Sequence, residues 1–381
     1  MKHKIVIIGS TGKLGTKLLN FTKKNSIPIF GITCFSNKSK LLKQKKLFNV
    51  NKSYALSEFK DKHNFLKLLE RKIHILYFLD FGSFSLLYLN HFLKFNKNSI
   101  IAVANKEMLI AGGSVLQHKI KKTKNIFMPL DSEHFSLLNS NIKSNNIKKI
   151  YITASGGPFY FNKSINLTNV SSKKVLSHPK WKMGTNNLID SSNFINKFLE
   201  IFELSHIYNI PINKIDFLIS KEAYVHSIIH YNDNSLSLNC FINNMIITLS
   251  KPLTYFYEIK QLPLKQNYLN ISNLKIEKPN DKRFSIFKYK KTLMKLTHSE
   301  QILLMIINNS AHKLYLSDNL KYDNIVTYIM TELFKHKKNI KLNSIKSILN
   351  FLDIKNDYYK SKEKKNIIFF FYLLFIFKPF C

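Results

Sequence analysis

Four consecutive apolar residues, Ile5-Val-Ile-Ile8, stand near the start of the chain, followed by Gly9-Ser-Thr-Gly-Lys-Leu-Gly15 and the spaced leucines Leu14, Leu18 and Leu19. The unbroken run predicts a strand covered on both faces, and the leucine spacing predicts a helix after it. Further strands are predicted over Ile27–Thr33, Ile73–Leu79 and Ser99–Val103, with helical patterns between them. Such alternation points to an α/β fold. Beyond it, Leu176–Gly184 holds the only Trp together with Pro and Gly and reads as a loop. Asp190-Ser-Ser192 is predicted to cap the next helix. That helix carries Phe194, Ile195, Phe198, Ile201, Phe202 and Leu204 as an apolar stripe, while Asn196, Lys197 and Glu200 share another face. It therefore offers donors for an anion at its start and a carboxylate one turn on. Residues 263–293 read as a connector, and from about Thr297 the pattern is helical to the end. The apolar run Ile367–Phe377 is about half of the ~20 residues a membrane span needs, so a core or docking helix is expected there.

Composition narrows the class. With 381 residues, 45% of them apolar, the chain has material for two or three cores, and disordered, collagen-like and small disulfide-scaffold readings are excluded. The net charge of +36 would ordinarily point to nucleic acid, but Arg71 and Arg283 are the only arginines. Bidentate contacts to bases and phosphates favour arginine, and lysines mixed with Asn, Ile and Phe look like the codon bias of an AT-rich genome. No nucleic-acid partner and no membrane span are expected. Cys34, Cys240 and Cys381 lie far apart, and Ile5–Ile8 is too short for a signal peptide, which makes a reducing cytoplasm the expected location.

Candidate chemistry gathers where strands end. The glycines at 9, 12 and 15 allow a tight turn in which backbone N–H groups approach a pyrophosphate at a helix start. The second strand leads to Ser36-Asn-Lys38 with no Asp or Glu before Glu58, a loop suited to the 2′-phosphate of NADP rather than the free ribose hydroxyl of NAD. Ala104-Asn-Lys-Glu107 places polar residues at another strand's carboxyl end, the ligand-binding edge of open α/β sheets.

The segments GSTGKLGT from Gly9, ANKEMLIAGG from Ala104, PLDSEHFSLL from Pro129, TASGGPF from Thr153, HPKWKMG from His178, DSSNFINKFLE from Asp190 and VHSIIHYNDNS from Val225 resemble, in this order, the 1-deoxy-D-xylulose 5-phosphate reductoisomerases. The similarity is clear over about residues 1–240, thins beyond, and is recognisable again at 278–284. It implies a Rossmann-like NADPH domain over 1–125, a catalytic and dimerisation α/β domain over 126–262, a connector over 263–293 and a C-terminal α-helical domain over 294–381. It also implies rearrangement and reduction of 1-deoxy-D-xylulose 5-phosphate to 2-C-methyl-D-erythritol 4-phosphate by a homodimer. Asp131, Glu133 and Glu200 match the family's metal ligands, and a set of hard oxygens suits Mg2+ or Mn2+, with Co2+ as an alternative. Lys106, Glu133 and His178 match catalytic positions. Ser132, Ser155, Trp181, Met183, Ser191, Asn196 and Lys197, with His178 and Glu200, match the sugar-phosphate site. Ser10, Thr11, Gly12, Lys13, Leu14, Ser36, Asn37, Asn105, Glu107 and Gly184 match the coenzyme side, and His226 a supporting position. His178, Trp181 and Met183 fall on the loop expected to close over substrate and exclude water.

Two phenylalanines stand where the family usually has glycine: Phe35 near the adenosine end, and Phe198 between Lys197 and Glu200, either packed in the core or crowding the site. Two other readings stand beside the enzyme, a catalytically decayed homologue and a basic protein binding RNA or a membrane surface.

Overall fold

The computed structural model describes residues 3–140, 142, 145–168, 170–176, 184–260, 262 and 274–376. Strands and helices alternate from the start: β1 (Ile5–Ile8), α1 (Lys13–Lys24), β2 (Gly31–Cys34), α2 (Lys38–Leu47), β3 (Lys52–Ala55), α3 (Phe59–Leu69), β4 (Ile75–Phe78), α4 (Ser85–Phe95), β5 (Ile100–Val103), α5 (Lys106–Lys122) and β6 (Ile126–Pro129). The strands form one parallel sheet in the order β3-β2-β1-β4-β5-β6. Side-chain alternation explains why β1 is apolar throughout: Val6 and Ile8 enter one core and Ile5 and Ile7 the other. The sheet runs past residue 125, because β6 pairs with β5 from Ile126 onward.

Next come α6 (Ser132–Phe135), β7 (Ile147–Ala154), α7 (Ser172–Val175), α8 (Thr185–Asn193), α9 (Ile195–Tyr208), β8 (Ile215–Ser220), β9 (Val225–Tyr231), β10 (Leu236–Cys240), α10 (Ile246–Ser250) and β11 (Ile276–Glu277). The second sheet is mixed, in the order β10-β9-β7-β8-β11. α10 returns to the first sheet, where Tyr77 Oη donates to Leu249 O at 2.9 Å. α11 (Lys290–Leu293), α12 (His298–Leu316), α13 (Asn324–His336) and α14 (Ile345–Ile376) complete the chain. Thr297 and Glu300 form a capping box at the start of α12, the point where the helical pattern begins in the sequence. The run 367–376 continues α14, and among the described residues no helix is long and apolar enough to cross a membrane.

The predicted cap at 190–192 is corrected by the structure. Asp190, Ser191 and Ser192 lie in the last turns of α8, and the chain breaks instead at Phe194, which adopts a left-handed φ of 68° before α9 restarts. Tertiary packing stabilises the break: the Phe194 ring is buried against Phe284, Phe287 and Phe217, and Asn193 Oδ1 accepts from Ile195 N. Asp190 itself turns to the C-terminal helices, accepting from Asn308 Nδ2 at 2.9 Å and meeting His312 Nε2 at 2.8 Å.

Candidate active site

The carboxyl edge of the first sheet faces the second sheet across a cleft whose floor is made by α5 and α9. Asp131 precedes α6 and Glu133 lies within it, so the two acids converge across a helix start. Glu200 joins them from α9, and ligand atoms of the three carboxylates lie within 4.8 Å of one another.

Two lysines hold this cluster together. Lys106, the first residue of α5, lies 2.8 Å from Asp131 and 3.1 Å from Glu200. Lys197 lies 2.6 Å from Glu200 and contacts Glu133. Burial works against both ammonium ions, but the carboxylates outweigh it, leaving Lys106 and Lys197 above the usual lysine range. Burial likewise pushes Asp131 up, yet Lys106 and His134 hold it well below the usual carboxylate range. Glu133 is raised, by burial and then by the charge of Glu200.

Three carboxylates against two ammonium ions leave one formal negative charge in a partly desolvated pocket. A divalent cation fits that donor set: all-oxygen, anionic and gathered from two separate elements. Asn196 gives its amide N–H to Glu200, while its Oδ1 is buried without a protein partner, an acceptor suited to a substrate hydroxyl.

The residues expected to take an anion come together by a route the sequence did not show. Gly157 has φ +59°, and a Cβ there would stand 2.7 Å from Ser191 O, so only glycine lets the Ser155-Gly-Gly turn press against α8. Ser155, Ser191, Asn196 and Lys197 then line one cleft with Lys106, Asp131, Ser132, Glu133, Glu200 and Gly184. Lys13 and Leu14 reach it from the start of α1. His178, Trp181 and Met183 lie outside the described residues.

Several coenzyme candidates act through the backbone or as supports. Ser10 does not face the cleft: it is fully buried, its Oγ engaging Gln44 Oε1 at 2.8 Å and Thr33 O at 3.1 Å. Gly12 starts α1 with no side-chain cap, leaving that helix start open to an anion. Lys40 Nζ donates to Thr11 O at 2.7 Å, placing a cation beside the glycine turn, and Lys38 is ion-paired with Glu58. The acid absent from the loop in sequence thus arrives from the start of α3. Asn37 caps α2 by accepting from Lys40 N, and Ser36 is exposed. Asn105 is buried as the cap of α5, its Oδ1 accepting from Met108 N. Glu107 is buried, and burial raises its carboxyl to about 7.

Phe198 points away from the chemistry. It is buried with its ring edge-on to Phe217 at 5.8 Å, filling the core behind α9. Sequence reasoning passed over Asn187 and Met245, which line the cleft, and the layer beneath Glu200. There His134 Nε2 bonds Glu200 O at 3.0 Å, and Glu203 approaches His134 Nδ1 at 3.8 Å, with burial raising Glu203 well above the usual range. The acids of the DSEH and NKFLE segments were the available signal; the i+3 spacing of Glu200 and Glu203 placed Glu203 under the site only once the helix direction was known. His226 lines the cleft as expected, stacked on Phe241.

Two family models match the chain: one for a 1-deoxy-D-xylulose 5-phosphate reductoisomerase C-terminal domain over residues 127–208, and one for a DXP reductoisomerase C-terminal domain over residues 243–356. The 1-deoxy-D-xylulose 5-phosphate reductoisomerase of Pelagibacter ubique is 33% identical, over 94% of this chain and 98% of its own. That of Clostridium novyi is 31% identical over 91% and 95%. Among solved structures, a DOX-P reductoisomerase in complex with NADPH, fosmidomycin and magnesium superposes with a TM-score of 0.81 at 22% identity, over 95% of this chain and 98% of that one. The enzyme of Zymomonas mobilis in complex with NADPH gives 0.80 at 19% identity, over 95% and 99%.

Proposed function

Because this chain belongs to the 1-deoxy-D-xylulose 5-phosphate reductoisomerase family, we propose that the cleft between its two sheets is the active site. The reaction is the NADPH- and divalent-metal-dependent conversion of 1-deoxy-D-xylulose 5-phosphate to 2-C-methyl-D-erythritol 4-phosphate. The observation that carries the site assignment is the convergence of Asp131, Glu133 and Glu200 around two buried lysines.

Asp131, Glu133 and Glu200 hold the cation, taken as Mg2+ or Mn2+, and the α1 start with Lys40 holds the coenzyme phosphates. When bound, the ion supplies Lewis-acid polarisation of the substrate's ketone and hydroxyl oxygens, and NADPH supplies the hydride. The chain's own groups position and polarise. Ser155, Ser191 and Lys197 take the phosphate, and Asn196 Oδ1 accepts from a hydroxyl. Lys106 is held cationic among carboxylates, ready to stabilise oxyanion charge as the carbon skeleton breaks and rejoins. His178, Trp181 and Met183 are assigned to closure over the substrate. We also assign a homodimer and the four-part division at 125, 262 and 293, with β6 belonging to the first sheet.

The test is oxidation of NADPH in the presence of deoxyxylulose phosphate and Mg2+ or Mn2+. The wild type is expected to turn over, EDTA to abolish turnover, and Glu200→Gln, which loses one of three carboxylate ligands, to lower it about a thousandfold. Undiminished turnover in Glu200→Gln would remove this residue from the metal site.

A further inference from the structure

A carboxylate with no part in the chemistry proposed for the cleft stands at the coenzyme edge. Asp80 follows β4, and β4 lies beside β1 at the point where the strand order of the first sheet reverses, the crevice in which open α/β sheets bind ligands. Its backbone touches the glycine turn: a Cβ on Gly9, whose φ is +83°, would stand 2.5 Å from Asp80 N. The other side of the crevice is the start of α5, and Asn105 Nδ2 donates to Asp80 Oδ1 at 3.1 Å and to Gly82 O at 3.0 Å. Ser85 Oγ donates to Asp80 Oδ2. Nothing lies within 4 Å of a Cβ on Gly82, so this loop borders open space.

Among the described residues no lysine, arginine or histidine pairs with Asp80, in a chain of net charge +36. Two neutral side-chain donors take one site on each oxygen and the backbone N–H of Asp80 takes a third, out of about four that a carboxylate has. A half-buried carboxylate with no cation beside it has acceptor capacity left.

We propose that Asp80 is a coenzyme-binding residue whose carboxylate accepts from the hydroxyls of the nicotinamide-side ribose of NADPH, which rests on the NADPH-dependent function proposed for the cleft. The coenzyme phosphates are separately assigned to the α1 start and Lys40, whereas Asp80 adjoins the α5 start that carries Lys106. A ribose diol presents two donors, and a carboxylate is the side chain that can take both.

Calorimetric titration of NADPH and of 2′,5′-ADP, which lacks the second ribose, into wild type and Asp80→Asn tests this. The variant is expected to bind NADPH about tenfold or more weakly, with 2′,5′-ADP unchanged, as loss of charge-assisted hydrogen bonds predicts. Asp80→Ser, measured the same way, serves if Asp80→Asn fails to fold. An NADPH affinity within twofold of wild type overturns the proposal and leaves the coenzyme assignment standing. Equal weakening of both ligands also overturns it, because it marks Asp80 as only a support for the crevice. A wild type that binds 2′,5′-ADP and NADPH not at all overturns the coenzyme assignment and this proposal together.

Discussion

The chemistry of single residues in this chain is set by what burial does to charge. Glu107 shows it most clearly. Desolvation raises its carboxyl to about 7 against an ordinary 4.5, while Lys106 pulls it down and Asp190 pushes it further up; Glu203 is a second acid in the same field. The folded state therefore holds a proton that the unfolded state releases above pH 4.5. The stabilisation is full below about pH 4.5 and is lost as pH rises through about 7, by at most about 3 kcal/mol. Urea unfolding at pH 5 and pH 8 should show this loss, and Glu107→Gln should lessen it, Glu203 keeping a share of the same sign; an unchanged loss in the variant would move the titration elsewhere. Phe198 makes a second case. Because its ring fills the core against Phe217, Phe198→Ala is expected to cost about 3–5 kcal/mol in urea unfolding while the Glu200 face keeps its contacts. The acidic trio was legible as motifs in the sequence. Asp80, His134 and Glu203 were not, since their weight comes from neighbours 25 or more positions away or from the buried side of a helix, which no local pattern records.

At the scale of elements, period and punctuation located β1, β4, β5 and the start of α12 within a residue or two, because each is framed by strong turn or cap chemistry. The α8–α9 junction escaped, since a left-handed phenylalanine is not a break signal. It is held by Phe284 and Phe287, about ninety residues on, which enclose the ring together with Phe217. The same connector contributes Arg283, one of two arginines in a chain otherwise committed to lysine. Its guanidinium donates to Phe159 O at 2.9 Å, Asn162 O at 3.0 Å and Ile165 O at 3.1 Å while paired with Asp281 at 2.8 Å. A planar fork of five donors can serve four acceptors at once; an ammonium on a flexible stem cannot. Arg283→Lys, which keeps the charge, should therefore lower stability by about 2 kcal/mol, the size expected for hydrogen bonds to a charged group. A thermal midpoint equal to wild type would show that charge alone secures the loop that follows the Ser155-Gly-Gly turn.

Of the strands that end the two sheets among the described residues, β3, β6, β10 and β11, β10 carries alternating exposed leucines. Among the described residues β10 is hydrogen-bonded only to β9, so its outer edge presents unpaired backbone groups. Leu236 and Leu238 stand on one face of that strand, 61% and 48% exposed. Edge strands that face water are usually blunted by lysine, proline or a bulge, and this chain, with lysine everywhere else, places alternating leucines there. The strand does shift register, but only at its far end, between Asn239 and Cys240. A two-fold axis beside β10 would pair it antiparallel with its own copy, joining the two mixed sheets and burying the leucines. The homodimer proposed for this enzyme is expected to form on that edge, and the double variant Leu236→Lys, Leu238→Lys should dissociate it. Light scattering on the purified protein reads the outcome directly: wild type at twice the chain mass of 44.7 kDa and the variant at one. A variant that stays dimeric would place the interface elsewhere on the molecule and leave β10 an unguarded edge.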